Sequence, residues 1–229
     1  MIKAALFDLD GVVFDTETQY TVFWGMIGRE YHPEIPDFAH LIKGQTLVQI
    51  YGRHFSHPSV FAHIPDFESV GKEQARITAR LDAFEREMDY NYIPGFEHFV
   101  KELRQHGVKC AVVTSSNRPK MQSVYARHPE FADYFDRVLT SEDFTKSKPH
   151  PECYLLGASV FGARPEECVG LEDSFNGLRA VRDSGAFTLG LSTTNTAEQI
   201  APLADYVIPD YRDFSFQQLQ QVFDARSAE

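Results

Sequence analysis

Short runs dominated by apolar residues, each followed by a helical segment, constrain this chain more than any other feature. The runs fall at 4–7, 108–113, 137–140, 168–171, 187–191 and 206–208. Between them, apolar residues recur at helical spacing. Over 96–106, for example, Phe96, Phe99, Val100 and Leu103 form one stripe and Gly107 supplies the stop. A strand that is apolar on both faces needs cover on both faces. Strands of that kind alternating with helices therefore predict an α/β fold, with a parallel sheet between two helical layers.

One long block departs from this alternation. From Asp15-Thr16-Glu17-Thr18, which reads as a helix N-cap region, the chain shows only helical patterns until about Asn91. Helices are expected over 21–31, over 40–51 with a break near Gly44, and over 70–88. Pro94-Gly95 marks the return. The predicted organisation is a Rossmann-like core from 1–15 and 93–229, with a small all-helical domain, 16–92, inserted after the first strand. Further helices are expected over 120–127, after the loop at 147–151 through Leu155 and Val160, and over 174–184.

Composition narrows the function. The 229 residues carry a formal net charge of -11, with 24% charged and 43% hydrophobic residues. An acidic surface repels nucleic acid and anionic lipid, so neither is an expected partner. No apolar run reaches the roughly 20 residues of a membrane-spanning helix, and the N-terminal residues lack a secretory cleavage pattern. Cys110, Cys153 and Cys168 are odd in number and widely spaced, which points to reduced thiols and a cytoplasmic setting. Oligomeric state stays open, a monomer being compatible with the sequence.

The chemistry gathers where strands end. The first run stops at Asp8, with Asp10 two residues on and Gly11 turning the backbone. The second stops at Thr114 and Ser115, and the fourth at Glu172 and Asp173. A parallel sheet places these ends along one edge, where ligands of open α/β sheets bind. Asp8 is a candidate nucleophile or metal ligand, and Asp10 a candidate proton donor and acceptor. Four carboxylates, Asp8, Asp10, Glu172 and Asp173, repel one another unless a cation joins them, and all-oxygen ligation suits Mg²⁺. Lys148, held in a loop by Pro149 and Pro151, adds positive charge to the same edge, and the Thr114 hydroxyl is a donor for phosphoryl oxygens. Together these groups favour phosphoryl transfer through an aspartyl-phosphate.

Phe7-Asp8-Leu9-Asp10-Gly11-Val12-Val13, Val113-Thr114-Ser115-Ser116, Lys148-Pro149-His150-Pro151 and Gly170-Leu171-Glu172-Asp173-Ser174 resemble, in order, the four motifs of the haloacid dehalogenase superfamily. The helical insertion resembles the α-helical cap of the branch that includes β-phosphoglucomutase and small-metabolite phosphatases. The resemblance implies that Asp8 attacks phosphorus, and that Asp10 protonates the leaving oxygen and then activates water. It implies that Thr114 and Lys148 bind the phosphoryl group. It assigns Mg²⁺ to Asp8, the Asp10 carbonyl and Asp173, with Glu172 as a ligand or close by. Sugar-phosphate mutases of the branch carry a His where this chain has Tyr20, and an Arg where it has Leu47. Arg76 is spaced like their cap lysine. The balance favours hydrolysis of a small phosphorylated metabolite, with a phosphosugar mutase as the rival and a catalytically silent binding module as the third reading.

Ser115, Asn117, Lys43 and Arg76 are the expected substrate contacts. Lys72, Arg76 and Arg80 recur every four residues and form a basic stripe, solvated or facing the core. His54, His57 and His63 fit no closed zinc site. Tyr20, Phe23 and Trp24 are expected to pack the first inserted helix, one of them near the substrate.

Overall fold

The computed structural model describes residues 1–43 and 45–226; Gly44, at the expected break between inserted helices, lies outside the described residues. Strands β1 (Ala4–Phe7), β2 (Lys109–Val113), β3 (Arg137–Leu139), β4 (Cys168–Glu172), β5 (Phe187–Leu191) and β6 (Tyr206–Ile208) form one sheet in the order β3-β2-β1-β4-β5-β6. Every neighbouring pair is parallel. Successive strands run outward in opposite directions from β1, so the loops leaving β1, β2 and β4 border a crevice at the strands' carboxyl ends.

Alternation along β1 builds both layers. Ala5 and Phe7 enter an apolar cluster with Phe96, Phe99 and Leu103 of α5 (Phe96–Gln105) and with Leu219 and Phe223 of α11 (Phe216–Arg226). Ala4 and Leu6 point the other way, into a cluster with Cys153 and Tyr154 of α8 (Glu152–Ser159) and Val181 of α9 (Phe175–Ser184). Burial of these apolar faces, rather than helix propensity, is what holds the layers.

Between β1 and α5 lie α1 (Glu17–Tyr31), α2 (Phe38–Leu41), α3 (Leu47–His54) and α4 (Val70–Glu87). They surround an apolar cluster of their own that includes Phe23, Ile27, Tyr31, Phe55, Phe61 and Ile77. The chain passes between this cluster and the sheet twice, and the two passes are tied together. Asp15 N donates to Asn91 O at 2.8 Å and Ile93 N to Val13 O at 2.9 Å, while Phe14 stacks on Tyr92.

Several boundaries differ from the sequence expectation for identifiable reasons. Helix α1 starts at Glu17, and the Thr16 hydroxyl does not cap it but turns to Asp10. The helix expected over 40–51 is two helices, α3 beginning at a reciprocal Thr46–Gln49 capping box. Helix α6 (Arg118–Arg127) starts two residues earlier than expected, capped by Asn117. The short helices α7 (Phe131–Tyr134) and α10 (Ala197–Ile200) were not anticipated, because four residues hold barely one helical period. Helix α11 was also missed; it buries only Leu219 and Phe223. No helix among the described residues is long and apolar enough to cross a membrane. All three cysteines are free and buried.

Phe96 is fully buried, stacked on Tyr92 and edge-on to Phe7. Phe96→Ala is expected to cost about 3–5 kcal/mol in urea unfolding. A loss below about 1 kcal/mol would contradict this account of the core.

Candidate active site

Backbone pairing aims the first acidic group. Asp8 N donates to Leu171 O at 3.0 Å, extending the β1–β4 ladder by one residue and fixing where the carboxylate emerges. Lys148 then bridges the strand ends. Its Nζ donates to Asp8 Oδ1 at 2.6 Å, to Glu172 Oε1 at 2.6 Å and to Val113 O at 3.0 Å. One buried ammonium thereby touches β1, β4 and β2.

Glu172 is saturated. Its Oε1 also accepts from the Tyr154 hydroxyl at 2.7 Å, and its Oε2 accepts from Asp173 N at 3.2 Å and from the Ser174 hydroxyl at 3.3 Å. Gly177 leaves room for this carboxylate, since a Cβ there would lie 1.9 Å from its Cδ. Asp173 is braced by the loop after β5: Thr194 donates to Oδ2, and Asn195 Nδ2 donates to the Asp173 carbonyl at 2.9 Å. Gly11 is required for two reasons, its φ of +72° and a Cβ position only 2.1 Å from Asp173 Oδ2.

Asp10 faces a different set of donors. Thr16 donates to Oδ1 at 2.5 Å, Ser116 donates to Oδ2 at 3.0 Å, and Lys120 bonds both oxygens. Its side chain therefore stands apart from the group formed by Asp8, Glu172 and Asp173, whose oxygens lie within 4.8 Å of one another. The placement leaves only the Asp10 backbone carbonyl for the metal-ligand role expected of that residue. Glu172 belongs to the same acidic group, with both oxygens also engaged by Lys148, Tyr154, Asp173 N and Ser174.

Electrostatics make this group a cation site. Three carboxylates cluster here and Lys148 pairs with two of them, Asp8 and Glu172, so when all three are ionised they exceed the ammonium by two negative charges. Burial pushes Asp8 from its ordinary 3.8 up to about 7; Lys148 opposes the rise, and Glu172 and Asp10 add to it. Asp173 is raised well above the usual range, by burial first and then by Glu17, Glu172 and Asp8. Burial pulls Lys148 down, but Asp8 and Glu172 outweigh it and hold the ammonium charged. A divalent cation matches the excess charge and the all-oxygen donor set, so the residues present fit it.

Above the strand ends lies a cavity of about 1080 Å³, bordered by Asp8, Thr114, Lys148 and Asp173 below and by Tyr20, Trp24 and other inserted residues above. The helical block is docked onto the sheet, with Asn176 Nδ2 donating to Lys43 O at 3.1 Å and Ser147 donating to Thr46 Oγ1 at 3.2 Å. Lys43 lines the cavity, paired to Glu17 at 3.1 Å. Ser115 also lines it, and its buried Oγ has no partner among the described residues. Asn117 lines the cavity too, although its Oδ1 caps α6 by accepting from Lys120 N. Phe23 is buried in the inserted cluster.

Arg76 is placed elsewhere: half exposed, it pairs with Glu73 and does not border the cavity. Its neighbours Lys72 and Arg80 pair with Glu68 and Glu30, so the stripe turns to acidic partners rather than to the site. His57 and His63 bond Ser59 and Glu30 O respectively, and His54 accepts from His32 through its carbonyl. The sequence reading missed Lys120, Thr16, Ser116, Tyr154 and Thr194. Ser116 stood inside a quoted motif; Lys120 carries no local signal, since a lysine early in a helix is ordinarily solvated.

The profile of the haloacid dehalogenase-like hydrolase family matches residues 2–185. The chain belongs to that family. It is 27% identical over 213 residues to validoxylamine A 7'-phosphate phosphatase of Streptomyces hygroscopicus subsp. limoneus, covering 92% of this chain and 94% of the relative. It is 24% identical over 232 residues to the β-phosphoglucomutase of Bacillus subtilis, with 96% and 95% covered. Its fold matches that of a β-phosphoglucomutase from Clostridium difficile with a TM-score of 0.82, at 21% identity over the full length of both chains. Members of this family similar to the chain are phosphatases and mutases of small phosphorylated metabolites.

A group whose folded-state pKa is raised stabilises the fold below its unfolded value and loses that contribution as pH rises through the folded one. The metal-free protein should therefore lose stability from Asp8 between about pH 4 and pH 7. A cation binds the ionised form. Saturating Mg²⁺ is thus expected to raise Tm by roughly 5–10 °C at pH 8 and by clearly less at pH 5, as measured by thermal melts. Equal shifts at both pH values would contradict the assignment.

Proposed function

We propose that the chain is a Mg²⁺-dependent phosphatase that hydrolyses a small phosphorylated metabolite through a phosphorylated Asp8. The observation that carries this reading is the Lys148 bridge, which fixes Asp8 Oδ1 in a residue that borders the cavity and leaves Oδ2 without a hydrogen bond among the described residues. Asp8 and Asp173 are the side chains that would hold Mg²⁺, with the Asp10 carbonyl beside them. The ion would neutralise charge on the phosphoryl oxygens.

The protein's own groups supply the remaining steps. The Asp8 oxygen bonds phosphorus as the bond to the leaving oxygen breaks, and Asp10 delivers its proton to that oxygen. Asp10, now a carboxylate, takes a proton from water as the water oxygen attacks phosphorus. The bond from phosphorus to Asp8 breaks, inorganic phosphate departs, and the Asp8 carboxylate is restored. Thr114, Lys148 and the unpartnered Ser115 hydroxyl bind phosphoryl oxygens. In this reading residues 16–92 act as a cap over a core of 1–15 and 93–229. The cap turns about Asp15 and Pro94 to admit substrate and exclude water, and Lys43 and Asn117 contact the substrate. Reduced cysteines support a cytoplasmic setting.

Hydrolysis is favoured over a mutase because Tyr20 and Leu47 stand where sugar-phosphate mutases carry His and Arg, and because Arg76, spaced like their cap lysine, pairs with Glu73 away from the cavity. The test is phosphate release from sugar phosphates, nucleotides, phosphoglycolate and pyrophosphate, with and without Mg²⁺. Release that needs Mg²⁺ and falls at least about 10⁴-fold in Asp8→Asn is the expected outcome. Isomerised sugar phosphate in place of free phosphate would establish the mutase.

A further inference from the structure

Among the described residues, Lys120 is the one buried cation at the site that contacts neither Asp8 nor Glu172. It lies in the first turn of α6, is 1% exposed, and bonds both oxygens of Asp10. Its other neighbours belong to the inserted helices. The ammonium stands 4.5 Å from the centre of the Tyr20 ring, a cation–π distance, and the Tyr20 hydroxyl donates to Glu85 Oε1 at 2.7 Å. Tyr20 is on α1, Glu85 is on α4, and both line the cavity.

We propose that Lys120 is a positioning residue that holds the Asp10 carboxylate in register, and that its hold depends on the docked helical block through Tyr20 and Glu85. The proposal rests on the reading of Asp10 as acid and base. Lys120 donates no proton in the reaction. It adds charge-assisted bonds to both oxygens of a carboxylate that Thr16 and Ser116 hold by one neutral hydroxyl each. Tyr20 and Glu85 complete the ammonium's surroundings only while the helical block lies on the sheet. Undocking exposes Lys120 to water and loosens Asp10, so the acid and base group is in place only when the cavity is covered.

The experiment compares wild type, Lys120→Met, Lys120→Arg and Tyr20→Leu with p-nitrophenyl phosphate, whose leaving group needs no proton. It also uses the best alkyl phosphate from the substrate panel. For Lys120→Met, whose fold is checked by its melting curve, kcat on the alkyl phosphate should fall on the order of 100-fold with KM nearly unchanged. On p-nitrophenyl phosphate the same variant should release one equivalent of nitrophenolate in a burst, followed by slow turnover, because only the water step still needs Asp10 in place. Lys120→Arg should recover much of kcat. Tyr20→Leu should lower kcat in the wild-type background and leave Lys120→Met unaffected.

A wild-type kcat in Lys120→Met, or a uniform loss on both substrates without a burst, would overturn the positioning role. Additive effects of Lys120→Met and Tyr20→Leu would overturn the link to the helical block. No turnover by wild type on any phosphate would sink the phosphatase reading itself, a result distinct from either of these.

Discussion

A single buried ammonium sets the geometry on which the rest of this site depends. Lys148 reaches the ends of three strands, and each contact has a separate structural cause: the β1–β4 ladder aims Asp8, β2 offers the Val113 carbonyl, and Glu172 is fixed by Tyr154 and Ser174. Removing a buried cation from two carboxylates leaves uncompensated charge, so these groups stand or fall together. The paired arrangement still carries excess negative charge, and that excess is what calls for a metal. Stability and function are in tension here, because the carboxylates that burden the metal-free fold are the ones that make the site useful.

The two aspartates of the first motif divide the work by environment. Asp8 sits among carboxylates with one lysine contact, deep in the crevice. Asp10, two residues on and just before the turn at Gly11, faces hydroxyls and Lys120. In the proposed reaction the same backbone segment thus presents one acid to the phosphoryl group and the other to the place where leaving group and water would pass. The inserted helices border the second position, through Tyr20 and Glu85, while the strand ends, the loops after them and Tyr154 of α8 build the first.

How much of this was legible in the sequence follows from the range of the interactions involved. The sheet was legible because a strand buried on both faces must be apolar along its length. The strand-end residues Asp8, Thr114, Glu172 and Asp173 were legible because fold logic fixes where such ends meet. Lys148 stood out through Pro149 and Pro151, which follow it in the loop. Groups reaching the site from helices and distant loops were not legible: Lys120 looks like any surface lysine, and Thr194 lies 21 residues from the Asp173 it braces. Thr16 was misread for a physical reason, since a hydroxyl before a helix ordinarily caps it and here Asp10 outcompetes the helix for it. Arg76 failed in the opposite way: spacing along α4 was read correctly, but periodicity does not say which face meets the cavity, and the half-exposed guanidinium pairs with the buried Glu73 instead.

The most direct test of the account is to trap the intermediate. Wild-type protein would be mixed with its best substrate and Mg²⁺, quenched in acid within one turnover, digested and examined by mass spectrometry. The account predicts one phosphoryl group on Asp8 and none on Asp10. A phosphoryl group on any other side chain, or phosphate release through repeated turnover with Asp8 never modified, would contradict it.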